Sequence, residues 1–500
     1  MIDPLAAVAD VDAPAWLVGG AVRDRLLARE TTDFDVTVDG PAEVVARRVA
    51  KRAGGVAFEL SEAFGAWRVV AHDRTWQLDV LGLDGTTIGD DLGRRDFSIN
   101  AIAAPLPLRS GEYVDPFGGL RDLQRRTLRM VAPDAFERDP LRTLRLARLA
   151  CELDLKVDPE TLRRAADAAP GLCRVAPERV FAELKRVISG PRPLAGLELM
   201  DRSGATAAVL PEVVALDGVE QSRFHHLDVH GHTRAVLAET VELERDPSRL
   251  GVSDDVLEGV RRALESPLAN ELTRGQALRF GALLHDIAKP QTRDVTAQGR
   301  VTFMGHDEAG AQMASDILGR LRASDRLREH VAALTRHHLR LGFLVHAMPL
   351  ERRAVYDYLR TVAPVGVDVT LLSVADRLAT RGDNAESAIE LHLELVRQLL
   401  PEALAWTADP PRPPVRGDDL ARALGIKPGP LIGSLLAELE AARFSGEVLA
   451  PLNREGDIHP SSWKDGVVTT TPGFKASTSR SSRSRVSRVS KGGSIWPRAA

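Results

Sequence analysis

The sequence predicts an α+β protein, a small α/β head followed by a long all-helical body, and three observations carry that prediction. Short apolar runs alternate with helical ones over the first ~120 residues. From Pro133 onward strand signals nearly vanish, and amphipathic helical periods continue to about residue 400. Finally, 500 residues exceed what one hydrophobic core organises, at roughly 100–200 residues per domain. In the head, WLVGG (16–20) reads as a strand and turn, AVRDRLLARE (21–30) as a helix, DFDVTV (33–38) as a strand and AEVVARRVAKRAG (42–54) as a second helix. WRVVAH (67–72) and WQLDVLGL (76–83) supply further strand-like runs. The predicted division is a head over 1–125, a helical neck over 126–215, a histidine-bearing helical domain over 216–400, a linker and small helical module over 401–465, and a tail over 466–500. PPRPPVRGDD (410–419) marks the linker. Residues 475–500 hold eight serines and seven basic residues with no acid, too little apolar surface to order a chain, so the tail is predicted disordered.

Composition narrows the class. The N-terminus lacks a basic n-region, and no segment reaches the ~18 uninterrupted apolar residues of a membrane span, so a cytoplasmic protein without membrane association is expected. The two cysteines, Cys151 and Cys173, belong to no CxxC pair, which argues against a disulfide framework or a cysteine zinc site. The net charge of −4 hides asymmetry: residues 121–148 carry eight arginines against four acids. Such a cluster suits a phosphate-rich partner, and it suits a solvated helix face as well.

The motifs carry the chemistry. In DFDV the period of two places Asp33 and Asp35 on one face of a strand. Two carboxylates held together repel unless a cation lies between them, and magnesium prefers such oxygen ligands. Alone, a DxD is often only an exposed strand. Gly19 and Gly20 lie where a strand passes into a helix, which lets backbone N–H groups approach a triphosphate and also serves as a plain structural turn. Arg23 follows within reach of a phosphate. Asp79 in WQLDV is either a third carboxylate or a buried structural one. Asp139 before Pro140 forms a helix-start pair, and Arg142, Arg145 and Arg148 recur at every third position of the following helix.

Taken with DDLGRRDFSINAIA (90–103), VDPFGGLRDL (114–123) and FERDPLRTLRLARLA (136–150), these segments resemble the class II tRNA nucleotidyltransferase and bacterial poly(A) polymerase family. GGAVRD, DFD, RRDFSINA and RDPLRTLRLAR stand in that family's order over residues 15–190. The resemblance implies a polymerase-beta-like nucleotidyltransferase head, transfer of CTP- or ATP-derived nucleotides to a tRNA 3′ end, and partners tRNA, CTP and ATP. It implies that Asp33 and Asp35 are catalytic and hold Mg2+. Gly20 and Arg23 would meet the triphosphate, and Arg94, Arg95 and Asp96 phosphate or ribose. Asp139 and Arg142 would read the Watson–Crick edge of the base, an aspartate accepting from an exocyclic amine and a guanidinium donating to ring acceptors. Arg145 and Arg148 would support that stripe. Two departures stand out. Arg138 replaces the glutamate that usually precedes the template aspartate. Only about nine residues (81–89) join LDV to DDL, where CCA-adding relatives carry a longer loop associated with switching from C to A. Addition of CCA, of CC alone or of A alone therefore stays open, as do a poly(A) polymerase and a phosphohydrolase whose head docks RNA.

Further on, HHLDVHGHT (225–233), GALLHDIAK (281–289), FMGHDEAG (303–310), TRHHLRL (335–341) and LLSVADRLA (371–379) organise the histidines. A histidine–aspartate pair on an apolar helix costs desolvation unless something compensates, and a metal does. Nitrogen with carboxylate ligands suits a transition metal. The order resembles the HD phosphohydrolase superfamily, which implies that His232, His285, Asp286 and Asp376 form a divalent transition-metal site, with His306 and His337 or His338 completing a second.

Overall fold

The protein is described here as a computed structural model, which covers residues 3–61, 65–222, 224–445, 462–464 and 467–469. The chain divides into two compact units: residues 1–222, 227–238 and 267–332 in the first, and 223–226, 239–266 and 333–500 in the second. The stretch 216–400, read from sequence as one domain, contributes to both.

The head of the first unit is a six-stranded sheet with order β3-β4-β5-β2-β1-β6. Its elements are α1 (Pro4–Ala9), β1 (Ala15–Val18), α2 (Gly20–Leu26), β2 (Asp33–Val38), α3 (Ala42–Ala53), β3 (Gly55–Ser61), β4 (Ala66–Ala71), β5 (Gln77–Gly82), α4 (Ile88–Gly93) and β6 (Ala103–Pro105). Only β2 and β5 run parallel. Alternation decides the two faces. Leu17, Val36, Val38, Val69, Leu78 and Val80 bury against Val45, Ala46 and Val49 of α3, whose apolar residues recur at helical spacing. That helix ends at Gly54, left-handed at φ 78°, a conformation glycine adopts without a Cβ penalty. The opposite face carries Asp35, Asp79 and Arg68, and its β1 end is closed where Val18 and Ala103 pack with Leu92 of α4.

The neck follows with α5 (Gly119–Gln124), α6 (Ala135–Arg138), α7 (Arg142–Leu153), α8 (Pro159–Ala168), α9 (Pro177–Ser189) and α10 (Pro193–Arg202). Phe97 of the RRDF motif is fully buried with Phe136, Leu146 and Leu149, its ring edge-on to Phe136 at 6.1 Å. The motif is thus anchored by its one apolar residue, and its charged residues are left at the surface of that core. The first unit also contains the start of the helix Val229–Arg245, the helix Arg274–Leu284 and the helix His306–Arg320.

The second unit is helical. Its helices Arg352–Val362, Ala385–Ala408 and Pro430–Ser445 meet at an aromatic triad of Tyr356, Trp406 and Phe444, with ring centroids 5.5–5.8 Å apart. Tyr356 donates to Glu440 at 2.8 Å; burial first, and that carboxylate second, push its hydroxyl up to about 12. The small helical module expected after the proline-rich linker is present as Gly417–Leu424 and Pro430–Ser445. Residues 462–464 pair antiparallel with 467–469; the rest of the expected tail lies outside the described residues. Among the described residues no helix is long and apolar enough to cross a membrane.

Candidate functional site

The β1–α2 junction is built around Gly19. Its φ of 70° is left-handed, and a Cβ there would stand 2.9 Å from the Arg95 guanidinium and 3.1 Å from the Asp35 carboxylate. Glycine is therefore required twice, by conformation and by close approach. Beside it, β2 presents Asp33 exposed and Asp35 half-buried. Burial pushes the Asp35 carboxyl up; the charges of Asp79 and Asp33 push the same way, and Arg95 and Arg145 oppose them. Asp79 stands opposite Asp35 in the parallel ladder, yet Arg68 of β4 grips it through two contacts of 2.6 and 2.8 Å. Both readings of Asp79 thus meet in one residue, in register with the pair and already neutralised.

The RRD segment closes the other wall. Asp96 is buried. Burial pushes its carboxyl up, but Arg145, the amide of Asn100, the Phe97 N–H and Arg142 outweigh this and hold it below the ordinary range. Arg145 reaches it at 2.8 Å. Arg95 leans on Asp91 at 3.2 Å, Arg94 pairs with Asp84, and Arg23 donates to Asn100 at 2.7 Å and chelates Asp24.

Three residues have partners that the sequence did not announce. Arg142 donates to the carbonyls of Arg95 and Ala135 at 3.1 Å and of Arg94 at 2.7 Å, so it braces the backbone of the RRD motif. Asp139 starts the helical turn, as its place before Pro140 predicts: its backbone is extended, its carbonyl accepts from the Arg142 N–H at 3.1 Å and its carboxylate from the Leu141 N–H at 3.2 Å, with α7 running on from Arg142. The same carboxylate also accepts from Arg179 of α9 at 2.9 Å. Arg148 is 5% exposed and donates to Glu183 and Glu152, an ion-pair network of the neck.

Eleven of the residues singled out in the sequence line one cleft of ≈ 990 Å³, from Gly20, Arg23, Asp33 and Asp35 through Arg94, Arg95 and Asp96 of the head to Asp139, Arg142, Arg145 and Arg148 of the neck; Gly19 lines it as well, and Asp79 is not among the lining residues. That volume is at the upper end of the roughly 300–1,000 Å³ of ligand sites. Arg179, Asn100, Asp91 and Arg68 were missed. Arg179 stands in PERVFAEL, where the helical pattern hid a polar role; nothing in sequence spacing links it to a residue forty positions away.

In the histidine region the start of the helix Val229–Arg245 supplies His232, the end of Arg274–Leu284 supplies His285 and Asp286, and the first turn of His306–Arg320 supplies His306. His285 Nδ1 donates to the Ala282 carbonyl at 2.8 Å and His306 Nδ1 to the Phe303 carbonyl at 2.6 Å. Those bonds place the Nδ1 protons and turn each Nε2 inward. The Nε2 atoms of His285, His306 and His232 stand 3.2, 3.4 and 3.7 Å from the Asp286 carboxylate, and the ligand atoms of His232, His285 and Asp286 lie within 4.8 Å of one another. This is a donor set a divalent metal fits. Lys289, one turn on in HDIAK, was missed although the i+3 spacing signals it; it reaches Asp286 at 2.7 Å. Asp376 lies on the helix Gly366–Ala379 of the second unit, and His338 follows Asp325–His337, donating through Nδ1 to the Thr335 carbonyl at 2.6 Å.

The fold defines a nucleotidyltransferase head joined to a helical neck and an HD-type module, and comparisons agree with each part. Family profiles match the Poly A polymerase head domain over residues 15–129, the probable RNA and SrmB-binding site of polymerase A over 154–216, and the HD domain over 229–381. The A-adding tRNA nucleotidyltransferase of Deinococcus radiodurans is 35% identical over 445 residues, covering 87% of this chain and 93% of that one. The CC-adding tRNA nucleotidyltransferase of Thermus thermophilus is 33% identical, covering 87% and 90%. A CCA-adding enzyme in its apo form shares the fold at TM-score 0.59 and 21% identity, covering 89% of this chain and 92% of that one. The chain belongs to the tRNA nucleotidyltransferase family.

Proposed function

We propose that this enzyme transfers cytidylate, adenylate or both, from CTP and ATP, to the 3′ end of tRNA, without a nucleic-acid template. The observation that carries the reading is the cleft in which Asp33 and Asp35 face the arginines of RRD and α7. Asp33 and Asp35 would hold Mg2+: the set is all oxygen, and the burial and like charges that push Asp35 up are what a dication relieves. When bound, Mg2+ supplies charge neutralisation at the transferring phosphate and lowers the cost of deprotonating the RNA hydroxyl. Gly20 offers backbone N–H, and Arg23, Arg94 and Arg95 offer guanidinium donors to the triphosphate. Their present partners Asp24, Asp84 and Asp91 keep them extended into the cleft. Asp96 locks the motif through Arg145 and Asn100. The Asp139 carboxylate accepts from the exocyclic amine that cytosine and adenine share and that uracil and guanine do not present at that edge position. Three carbonyl contacts use three of the five N–H donors of Arg142, which leaves its Nε–H and one Nη2 hydrogen to donate to the same base.

The connection between β5 and α4 favours a restricted set of additions, CC alone or A alone. It spans only residues 83–87 and is pinned, because the Asp90 carboxylate accepts from both N–H groups and both hydroxyls of Thr86 and Thr87. A connection so held cannot reshape the base pocket between nucleotides. The test is incorporation of labelled CTP and ATP into tRNA ending before CCA, after CC and after CCA. Incorporation of neither into any acceptor rejects the reading, and a long adenylate ladder replaces it with poly(A) synthesis.

The convergence of three Nε2 atoms on Asp286 favours a second activity, a transition-metal phosphohydrolase acting on RNA ends. Hydrolysis of a 2′,3′-cyclic phosphate by the wild type in Mn2+ or Ni2+, lost in His285→Ala, tests it. With tRNA as substrate and no membrane-crossing helix among the described residues, we place the enzyme in the cytoplasm.

A further inference from the structure

On the open face of the head sheet one register line runs from the edge strand to the paired carboxylates. Phe58 on β3 opposes Arg68 on β4, Arg68 opposes Asp79 on β5, and Asp79 opposes Asp35 on β2. Residues directly opposed across a ladder project to the same side, so Phe58 shares the face of Asp35, away from α3. The period of two puts Val56 beside it, and Leu60 follows at the register shift between Glu59 and Ser61. Val56, Phe58 and Leu60 are 54%, 44% and 45% exposed. Single exposed apolar residues are ordinary; three within five positions of one strand, continuous with a catalytic row, are a surface.

The row also has a direction. From Asp35 toward β1 lie Val18, Gly19 and the arginine-rich part of the cleft, which also reaches residues 81–84 at the end of β5; from Asp35 toward β3 lie Asp79, Arg68 and Phe58. Phosphoryl transfer is an in-line displacement, with the attacking and leaving oxygens on opposite sides of the phosphorus. With the triphosphate against the arginines beside β1, the acceptor is left the side of Asp79, Arg68 and Phe58.

We propose that Phe58, flanked by Val56 and Leu60, is a stacking platform for the single-stranded 3′ end of the acceptor RNA. This rests on the transferase reading above. Aromatic faces hold successive bases with little regard to sequence, which suits an end whose last nucleotide changes with each addition. Arg68, locked onto Asp79, cancels one carboxylate that would otherwise repel the phosphates along this path. Three strand spacings of about 4.8 Å put Phe58 about 14 Å from Asp35, the span of roughly four stacked nucleotides at about 3.4 Å each, or fewer when extended.

The experiment is steady-state incorporation of CTP into tRNA lacking CCA, or of ATP into tRNA ending in CC, by the full-length enzyme, with Phe58→Ser, Phe58→Trp and Val56→Thr. Phe58→Ser should raise KM for tRNA about tenfold with kcat near wild type. Phe58→Trp should restore KM, and single-stranded oligonucleotide should quench the introduced indole. Val56→Thr, milder for folding, should raise KM less. An unchanged KM in Phe58→Ser and Val56→Thr overturns the platform, as does a fall in molecular mass on sedimentation, which would make the face a self-association surface. Absence of both CTP and ATP incorporation by the wild type sinks the transferase reading instead, so the two failures are told apart.

Discussion

In the head, Asp35 sits beside Asp33 and Asp79, and burial together with those charges pushes its carboxyl up. In the histidine cluster Asp286 is buried more deeply, 2% exposed, yet His285 and Lys289 outweigh the burial and hold it well below the ordinary range. The difference separates two designs for a metal-using site. The histidine cluster sets its aspartate against the Lys289 ammonium and fixes its imidazoles through carbonyls before any ion arrives. The head leaves a carboxylate under-compensated in an open cleft, which suits a cation that comes and goes with the nucleotide.

The largest expected effect breaks the head alone. Asp35→Asn should lower tRNA nucleotidyl transfer on the order of a thousandfold, the several kcal/mol of charge stabilisation a bound metal supplies, with tRNA binding retained in a filter assay. Retained transfer would reject the metal role. Next, Asp286→Asn should destabilise the first unit by about 3–5 kcal/mol, because it strands the buried Lys289 ammonium without its partner. Calorimetry should show the fall, and Lys289→Met in the same background should recover part of it. A smaller effect is expected at Arg179. Arg179→Gln frees the Asp139 carboxylate from a charged hydrogen bond, and discrimination of CTP against UTP should drop about tenfold in kcat/KM.

The smallest effect carries the sign of the comparison. A carboxyl whose folded-state pKa is raised contributes stability that is present at low pH and lost as pH rises through that value. In EDTA at pH 7, Asp35→Asn should therefore raise Tm, and the gain should shrink as pH falls toward the ordinary carboxylate range. Asp35→Asn and Asp286→Asn would then move stability in opposite directions, and equal signs would remove the distinction between the two sites.

Much of the head was legible because its chemistry is local. Period two pairs Asp33 with Asp35, the glycine turn announces β1–α2, and RRDF keeps its charges within three residues of the buried Phe97. The order of strands was not legible, since register between β3, β4 and β5 depends on long-range pairing, and with it the row from Phe58 to Asp35 stayed hidden. Arginine partners were also out of reach. A guanidinium on a long stem reaches phosphate, carboxylate or carbonyl alike, and only packing decides that Arg148 meets Glu152 and Glu183 while Arg142 meets backbone. In the histidine region HDIAK was readable as a pair, but the carbonyls that set the tautomers belong to turns whose geometry sequence does not print.

The brace formed by Arg142 couples two properties that protein engineers prefer to vary separately. Its guanidinium ties together the carbonyls of Arg94, Arg95 and Ala135, so a substitution at this position also loosens the segment that carries Arg94 and Arg95. Under the roles proposed for these residues, a change in nucleotide preference made here comes with a weaker hold on every nucleotide, and a retargeted variant needs a second change that restores the hold.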